Sequence, residues 1–151
     1  MNFLEKIQKL DQNKNYKMFV DMDGVIASYE VGKPSNFDKK RPLKNNINVL
    51  KEVSKLNNIE MHILSISKKD SQIKEKNDWL DINANFFKYE NRHIISKESN
   101  EGSSKELKYN FLIKYIDSDN IILVDDDNQI LKYIYDKTKD IILYQDSELV
   151  D

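Results

Sequence analysis

The chain has 151 residues, enough for one core covered by helices, and its 24 Lys and Arg against 26 Asp and Glu leave a net charge of −2, which argues against an overall electrostatic pull toward nucleic acid and leaves only a local basic patch open. With no cysteine, disulfide frameworks, thiolate catalysis and zinc–thiolate sites are excluded. No stretch approaches ~18 apolar residues, so no membrane span is expected; the first ten residues interleave charged and apolar side chains, unlike a signal peptide, and a cytoplasmic location is the default expectation.

In chain order, Phe3, Leu4, Ile7 and Leu10 recur at helical spacing and predict an amphipathic helix over about 2–12. A strand follows from Tyr16 to Asp21, and residues 27–43, punctuated by Gly32, Pro34 and Pro42, read as irregular. Ile47, Val49, Leu50, Val53 and Leu56 predict a helix ending near Asn57 and Asn58. A second strand runs through Met61, Ile63 and Leu64 to Ser65. Asp70 or Ser71 is placed to cap a helix carrying Ile73, Trp79, Leu80 and Ile82. A third strand, His93 to Ser96, leads into the polar stretch 97–104, and Ser103 or Ser104 caps a helix with Leu107, Phe111, Leu112 and Ile116 inward. The apolar run Ile121 to Val124 predicts a buried strand ending in Asp125, Asp126 and Asp127. A helix with Ile130, Leu131 and Ile134 and a last strand, Ile141 to Tyr144, complete the pattern. Strand and helix alternate throughout, which predicts a three-layer, Rossmann-like α/β fold: a mainly parallel five-stranded sheet with helices on both faces, in a single domain over 1–151.

Parallel strands share a polarity, so Asp21, Asp23, Ser65 and the acidic run at 125–127 are expected at one sheet edge, the edge where open α/β sheets bind ligands. Gly24 supplies a turn that lets the backbone peel away after Asp23. The Asp-x-Asp-Gly spacing also opens calcium loops, but such a loop needs a ligand at position five, glycine at six and glutamate at twelve; Val25, Ile26 and Gly32 stand there. Several carboxylates in one crevice repel one another unless a cation sits among them, and an all-oxygen set with room for water suits Mg²⁺. Taken singly, Asp127 is explained as a helix cap and Ser65 as a turn residue.

The segment Phe19-Val20-Asp21-Met22-Asp23-Gly24-Val25, the strand ending in Ser65, a following lysine and the run Leu123-Val124-Asp125-Asp126 together resemble the ordered motifs of the haloacid dehalogenase superfamily of phosphotransferases, from about residue 16 onward. The segment Lys76-x-x-Trp79-Leu80 further resembles the 5′-nucleotidase branch that holds the 5′(3′)-deoxyribonucleotidases. The resemblance implies a Mg²⁺-dependent phosphomonoester hydrolase. Asp21 would be the nucleophile that forms an aspartyl phosphate, and Asp23 the acid/base, its backbone carbonyl also reaching the metal. Ser65 would bind a phosphoryl oxygen, and Asp21, Asp23, Asp125 and Asp126 would hold Mg²⁺. The lysine beside the nucleophile is read as Lys105, with Lys97 and Lys108 as alternatives.

Members acting on small molecules often carry a cap domain after the first motif, but only about twenty residues separate Gly24 from the predicted helix, room for a flap over 25–43 and not for a helical bundle. Lys33, Lys39, Lys40 and Arg41 lie on this segment, with Lys33 and Arg41 taken as substrate-binding residues and Tyr29 or Phe37 available to stack on a base. The expected substrate is a nucleotide or related small phosphate. Polynucleotide 3′-phosphatase domains of the superfamily have small or absent caps, so a nucleic-acid 3′ end is the alternative; a non-catalytic module binding a partner through the 1–12 helix is the third reading. Oligomeric state is not legible.

Overall fold

The computed structural model describes residues 1–29 and 37–150. Five strands, β1 Tyr16–Val20, β2 Ile59–Ser67, β3 Arg92–Ser96, β4 Asn120–Asp125 and β5 Ile141–Gln145, form one sheet in the order β3-β2-β1-β4-β5, with every adjacent pair parallel. Helices α1 Phe3–Gln8, α2 Lys44–Val53, α3 Ser71–Asn83, α4 Ser104–Leu112 and α5 Asn128–Lys137 alternate with them, and short 3₁₀ turns occupy Phe37–Lys39, Tyr89–Asn91 and Asp146–Val150. This is the expected α/β Rossmann-like sheet with helices on both faces. No helix among the described residues is long and apolar enough to cross a membrane.

The central strands are apolar on both sides because both sides are covered. Met18, Val20, Ile63 and Val124 pack with Phe3, Ile7, Leu50, Val53, Trp79 and Leu80 from α1, α2 and α3. Phe19, Leu64, Ile121 and Leu123 face the other way and meet Leu112 of α4 and Ile130 and Ile134 of α5. Successive strand residues point to opposite faces, so each strand feeds both layers.

Two local differences from the expected elements have identifiable causes. Helix α1 ends at Gln8, short of residue 12, because the Asp11 carboxylate accepts the Asn13 N–H at 2.9 Å and offers the backbone a turn in place of another helical bond. Asp70 precedes α3 but makes no side-chain cap bond; its carboxylate instead accepts the Ser99 hydroxyl. The side chain of Gln72 takes over that end, accepting the Lys68 and Lys69 N–H groups at 2.9 and 3.1 Å. The other two caps fall where the sequence puts them, at Ser103, which forms a capping box with Glu106, and at Asp127.

The chain leaves β1 for β2 on one side and returns to β4 on the other. A crevice therefore opens beyond the carboxyl end of β1, between two connections that run in opposite directions.

Candidate active site

Register brings the first two carboxylates together. Val20 pairs with Val124, and the ladder continues one step as the Asp21 N–H donates to the Val124 carbonyl at 3.0 Å, so Asp21 and Asp125 leave adjacent strands side by side. Alternation carries both toward the face that holds Phe19 and Leu123, the face covered by α4. Asp21, Asp125 and Asp126 each offer a carboxylate oxygen, and these atoms lie within 4.8 Å of one another.

The turn after β1 makes room for the third. Gly24 has φ +81°, a conformation L side chains rarely adopt, and a Cβ built on it would stand 2.0 Å from Asp126 Oδ2. Glycine is thus required twice over at this position, for the backbone and for the space that Asp126 fills. Beyond it, Ala27 bridges Asp23 on one side and Pro42 on the other, tying both ends of the 25–43 segment to the strand end.

One buried cation serves the carboxylates. Lys108 Nζ, 2% exposed, donates to Asp125 Oδ2 at 2.6 Å and lies 3.1 Å from Asp21 Oδ1. Burial would lower its pKa, but Asp21 and Asp125 together hold it above the ordinary lysine value. The Asp21 carboxyl is pushed up to about 8 by burial, with Asp125 and Asp126 adding to the rise and Lys108 opposing it. Asp126 is pushed up to about 6, by burial first and then by Asp125. These are the signs of an anionic cluster short of positive charge.

Asp23 has separate company. Its carboxylate forms an ion pair with Lys40 and stands 3.4 Å from Lys76 Nζ. Lys76 in turn donates to Ser65 Oγ at 2.7 Å and to the Ile66 carbonyl at 3.0 Å. Burial lowers the Lys76 pKa, against the pull of Asp23 and Asp21. The flap's returning arm is pinned to the same helix: the Trp79 indole N–H donates to the Lys40 carbonyl at 2.9 Å, and the Phe37 ring meets Trp79 edge-on at 5.7 Å.

Of the residues singled out by sequence, Asp21, Asp125 and Asp126 gather as one set, Asp23 stands beside them with its side chain turned to two lysines, and Ser65 is fully buried against Lys76. Lys105 is not brought to the carboxylates. Lys105, in the first turn of α4 just after the Ser103 cap, is exposed and lies 5.4 Å from the Tyr133 ring centroid, whereas Lys108, nearly one turn further into the helix, is buried with Leu112. Lys97 is exposed at the end of β3. Arg41 is exposed, with its backbone bonded to Ser28 in both directions, and Lys33 lies outside the described residues. Phe37 is 1% exposed and closed to any base, while Tyr29 is 71% exposed.

Sequence reasoning places Lys40 on the flap among residues able to meet phosphates and Lys76 in the segment that carries the branch resemblance, but gives neither a partner; their pairing with Asp23, and that of Lys76 with Ser65, comes from the fold. The signal for Lys76 is its place on α3: Gln72, Lys76, Trp79 and Leu80 are the buried residues of that helix, spaced as one face, and a lysine on an apolar stripe needs an anion or acceptors to face. Tyr29, Asp21, Asp23, Ser104, Lys108 and Asp126 line a cleft of about 420 Å³ that reaches solvent through Tyr29 and Asp127. Two hollows of about 700 and 480 Å³ lie elsewhere, the first at the opposite strand edge and the second between α1, α2 and Leu149; the first holds Lys17 between Glu60 and Asp119, but these carboxylates are solvent-accessible and do not form the cluster of three that Asp21, Asp125 and Asp126 make. Chemistry, and not size, selects the smaller cleft.

No family model and no curated protein matches this chain. Solved structures do: a chain from "Structure of Pnkp1/Rnl/Hen1 complex" superposes with a TM-score of 0.70 at 16% identity, over 89% of this chain and 47% of that one. A chain from "Structure of the Pnkp1/Rnl/Hen1 RNA repair complex" superposes with a TM-score of 0.64 at 17% identity, over 89% and 43%. This chain spans less than half the length of either, and what the likeness establishes is a shared α/β fold.

Proposed function

We propose that this chain is a divalent-cation-dependent phosphomonoester hydrolase of the haloacid dehalogenase type, working through an aspartyl phosphate on Asp21. The observation that carries the reading is the pairing of Asp21 with Lys108 and two further carboxylates at the end of β1, with Asp23 two residues on, held apart from them by its own lysines.

The residues suit Mg²⁺: Asp21, Asp125 and Asp126 are hard oxygen donors close enough to share one ion, and a bound cation would offset the burial and mutual repulsion that raise the pKa values of Asp21 and Asp126. Bound there, the ion would neutralise charge on the phosphoryl group and keep Asp21 ionised. Asp21 then attacks phosphorus in line while Lys108 balances the charge that builds on the phosphoryl oxygens. Asp23 protonates the leaving oxygen and afterwards takes a proton from the water that opens the acyl phosphate. Ser65 donates to a phosphoryl oxygen. The role first assigned to Lys105 passes to Lys108, and the substrate-binding role of the flap falls to Lys40 in place of Arg41.

Nucleotides and related small phosphates are one substrate class. A second reading, a phosphate at a nucleic-acid end, is favoured by a specific feature: the cleft reaches the surface beside the exposed Tyr29 ring, a platform on which a terminal base can stack. The fold likeness to chains of RNA repair complexes supports the same direction. The deciding assay is phosphate release, with and without Mg²⁺, from an aryl phosphate, nucleoside 5′- and 3′-monophosphates and a 3′-phosphorylated oligonucleotide. Mg²⁺-dependent release from any of them supports the enzyme reading, and the preferred compound selects the substrate class. Inertness toward all of them would return the chain to the third reading, a binding module on this fold.

A further inference from the structure

We infer that Lys76 is a positioning residue that fixes the Ser65 hydroxyl as a hydrogen-bond donor toward the phosphoryl site; the inference rests on the phosphomonoesterase reading above. A serine hydroxyl has one hydrogen to give and two lone pairs that accept, and left alone it rotates to suit its neighbours. A lysine ammonium only donates. Its 2.7 Å bond to Ser65 Oγ therefore occupies a lone pair and leaves the hydroxyl hydrogen to be offered elsewhere.

The ammonium has three hydrogens, and three oxygens surround it: Ser65 Oγ at 2.7 Å, the Ile66 carbonyl at 3.0 Å and Asp23 Oδ2 at 3.4 Å. With its donors engaged and the residue 2% exposed, Lys76 has nothing left to give a substrate. It acts through the groups it holds. A charged side chain on the buried stripe of a helix is costly unless well paired, and the pairing here joins the two side chains, Ser65 and Asp23, that come from different strand ends.

The test is a double-mutant cycle between Lys76→Met and Ser65→Ala, read in kcat/KM for Mg²⁺-dependent phosphate release. Methionine keeps the length of the buried stem, and thermal unfolding checks that each variant folds. Each single substitution is expected to lower kcat/KM by about a hundredfold, and Lys76→Met introduced into the Ser65→Ala protein to cost no more than about threefold, because the group it orients is gone. Independent, multiplying losses would show that Lys76 merely supports the fold, and wild-type kinetics in Lys76→Met would remove it from the site altogether. A second readout does not depend on turnover: the ¹⁵N ammonium resonance of Lys76, assigned by its loss in Lys76→Met, is expected to be protected from exchange and to shift in Ser65→Ala. A wild-type protein inert toward every phosphate compound would sink the enzyme reading, and an unmoved resonance would sink the Lys76–Ser65 coupling by itself.

Discussion

Lys108 Nζ lies 3.1 Å from Asp21 Oδ1, which places the cation nearest the proposed nucleophile one full turn inside α4. The consequence is electrostatic. Burial raises the Asp21 pKa more than this one ammonium can offset, so Lys108 orients the carboxylate without supplying all the charge needed to keep it ionised near neutrality.

Replacing Asp21 by Asn should remove catalysis and keep the fold. The amide is nearly isosteric, and Asp21 lies at a strand end outside the packed cores, whereas loss of a covalent nucleophile costs on the order of 10⁴ in kcat. Phosphate release and the circular dichroism melt together check this; near wild-type kcat in the variant would rule out the covalent mechanism.

Among the lysines, Lys108→Ala should lose about a hundredfold or more in kcat, roughly 3 kcal/mol. It should also destabilise the protein by about 3 kcal/mol, since it strands two buried carboxylates. Lys105→Ala and Lys97→Ala should stay within about twofold in both, as substitutions of exposed side chains do. Chemical denaturation and steady-state kinetics on the three variants read both effects, and a sensitive Lys105 would overturn the assignment.

Mg²⁺ should stabilise the protein and displace protons. Asp21 has a folded pKa of about 8 against 3.8 for the free side chain, so the stability associated with its bound proton is present below 3.8 and is lost as pH rises through 8. In chelator, stability should therefore fall progressively from about pH 4 to about pH 8 and level off above it, and saturating Mg²⁺ should flatten that fall by holding the cluster ionised. Urea midpoints with and without Mg²⁺ test it, alongside a pH indicator for released protons. Ca²⁺ should bind but fail to support turnover, because its looser coordination lets both Asp21 oxygens be engaged and spoils in-line attack.

The opposite pH sign is expected from a buried histidine pair. His62 Nδ1 and His93 Nε2 are 3.0 Å apart, with Phe19 and Phe111 against them, and Glu60 at 2.6 Å from His62 Nε2. Burial lowers both; His93 falls to about 4 from 6.5, with the charge of His62 adding to the effect. A depressed folded pKa means stability that is full above 6.5 and is lost as pH falls toward 4. After allowing for solvent screening of the partly exposed His93 ring, the loss should be roughly 1 kcal/mol. The difference between wild type and His93→Phe, followed by denaturation across that window, isolates it from the carboxylates, and an unchanged difference would dismiss the pair as a titrating unit.

What could be seen in the sequence follows from which signals are local. The apolar runs before Asp21 and Asp125 mark strand ends, and parallel polarity alone then brings residues a hundred positions apart to one edge. The inward lysine is not settled by helical phase. Lys105 lies seven residues before Leu112 and Lys108 four, so at 3.6 residues per turn both fall on the stripe of Leu112, and only the burial of Lys108 against the exposure of Lys105 in the folded chain tells them apart. Lys40 is a different case, because a flap of irregular backbone has no period from which a side chain's direction can be inferred. Lys76 is legible as a residue on the face of Trp79 and Leu80, in the segment that carries the branch resemblance, but the acceptors it meets come from β2 and the turn after β1 and no local pattern names them.

The order of the strands also makes the proposed site a joint product of two halves of the sheet. Strands β1 and β2 with α3 hold Asp23, Ser65 and Lys76 together, whereas the carboxylates beside Asp21 and the cation between them come from β4, the turn after it and α4. The space beside Gly24 belongs to Asp126, so the packing of β4 against β1 sets the repulsion among the acids and the docking of α4 sets the charge that moderates it. A substitution that loosens either contact is expected to disturb every carboxylate of the cluster together and not one at a time.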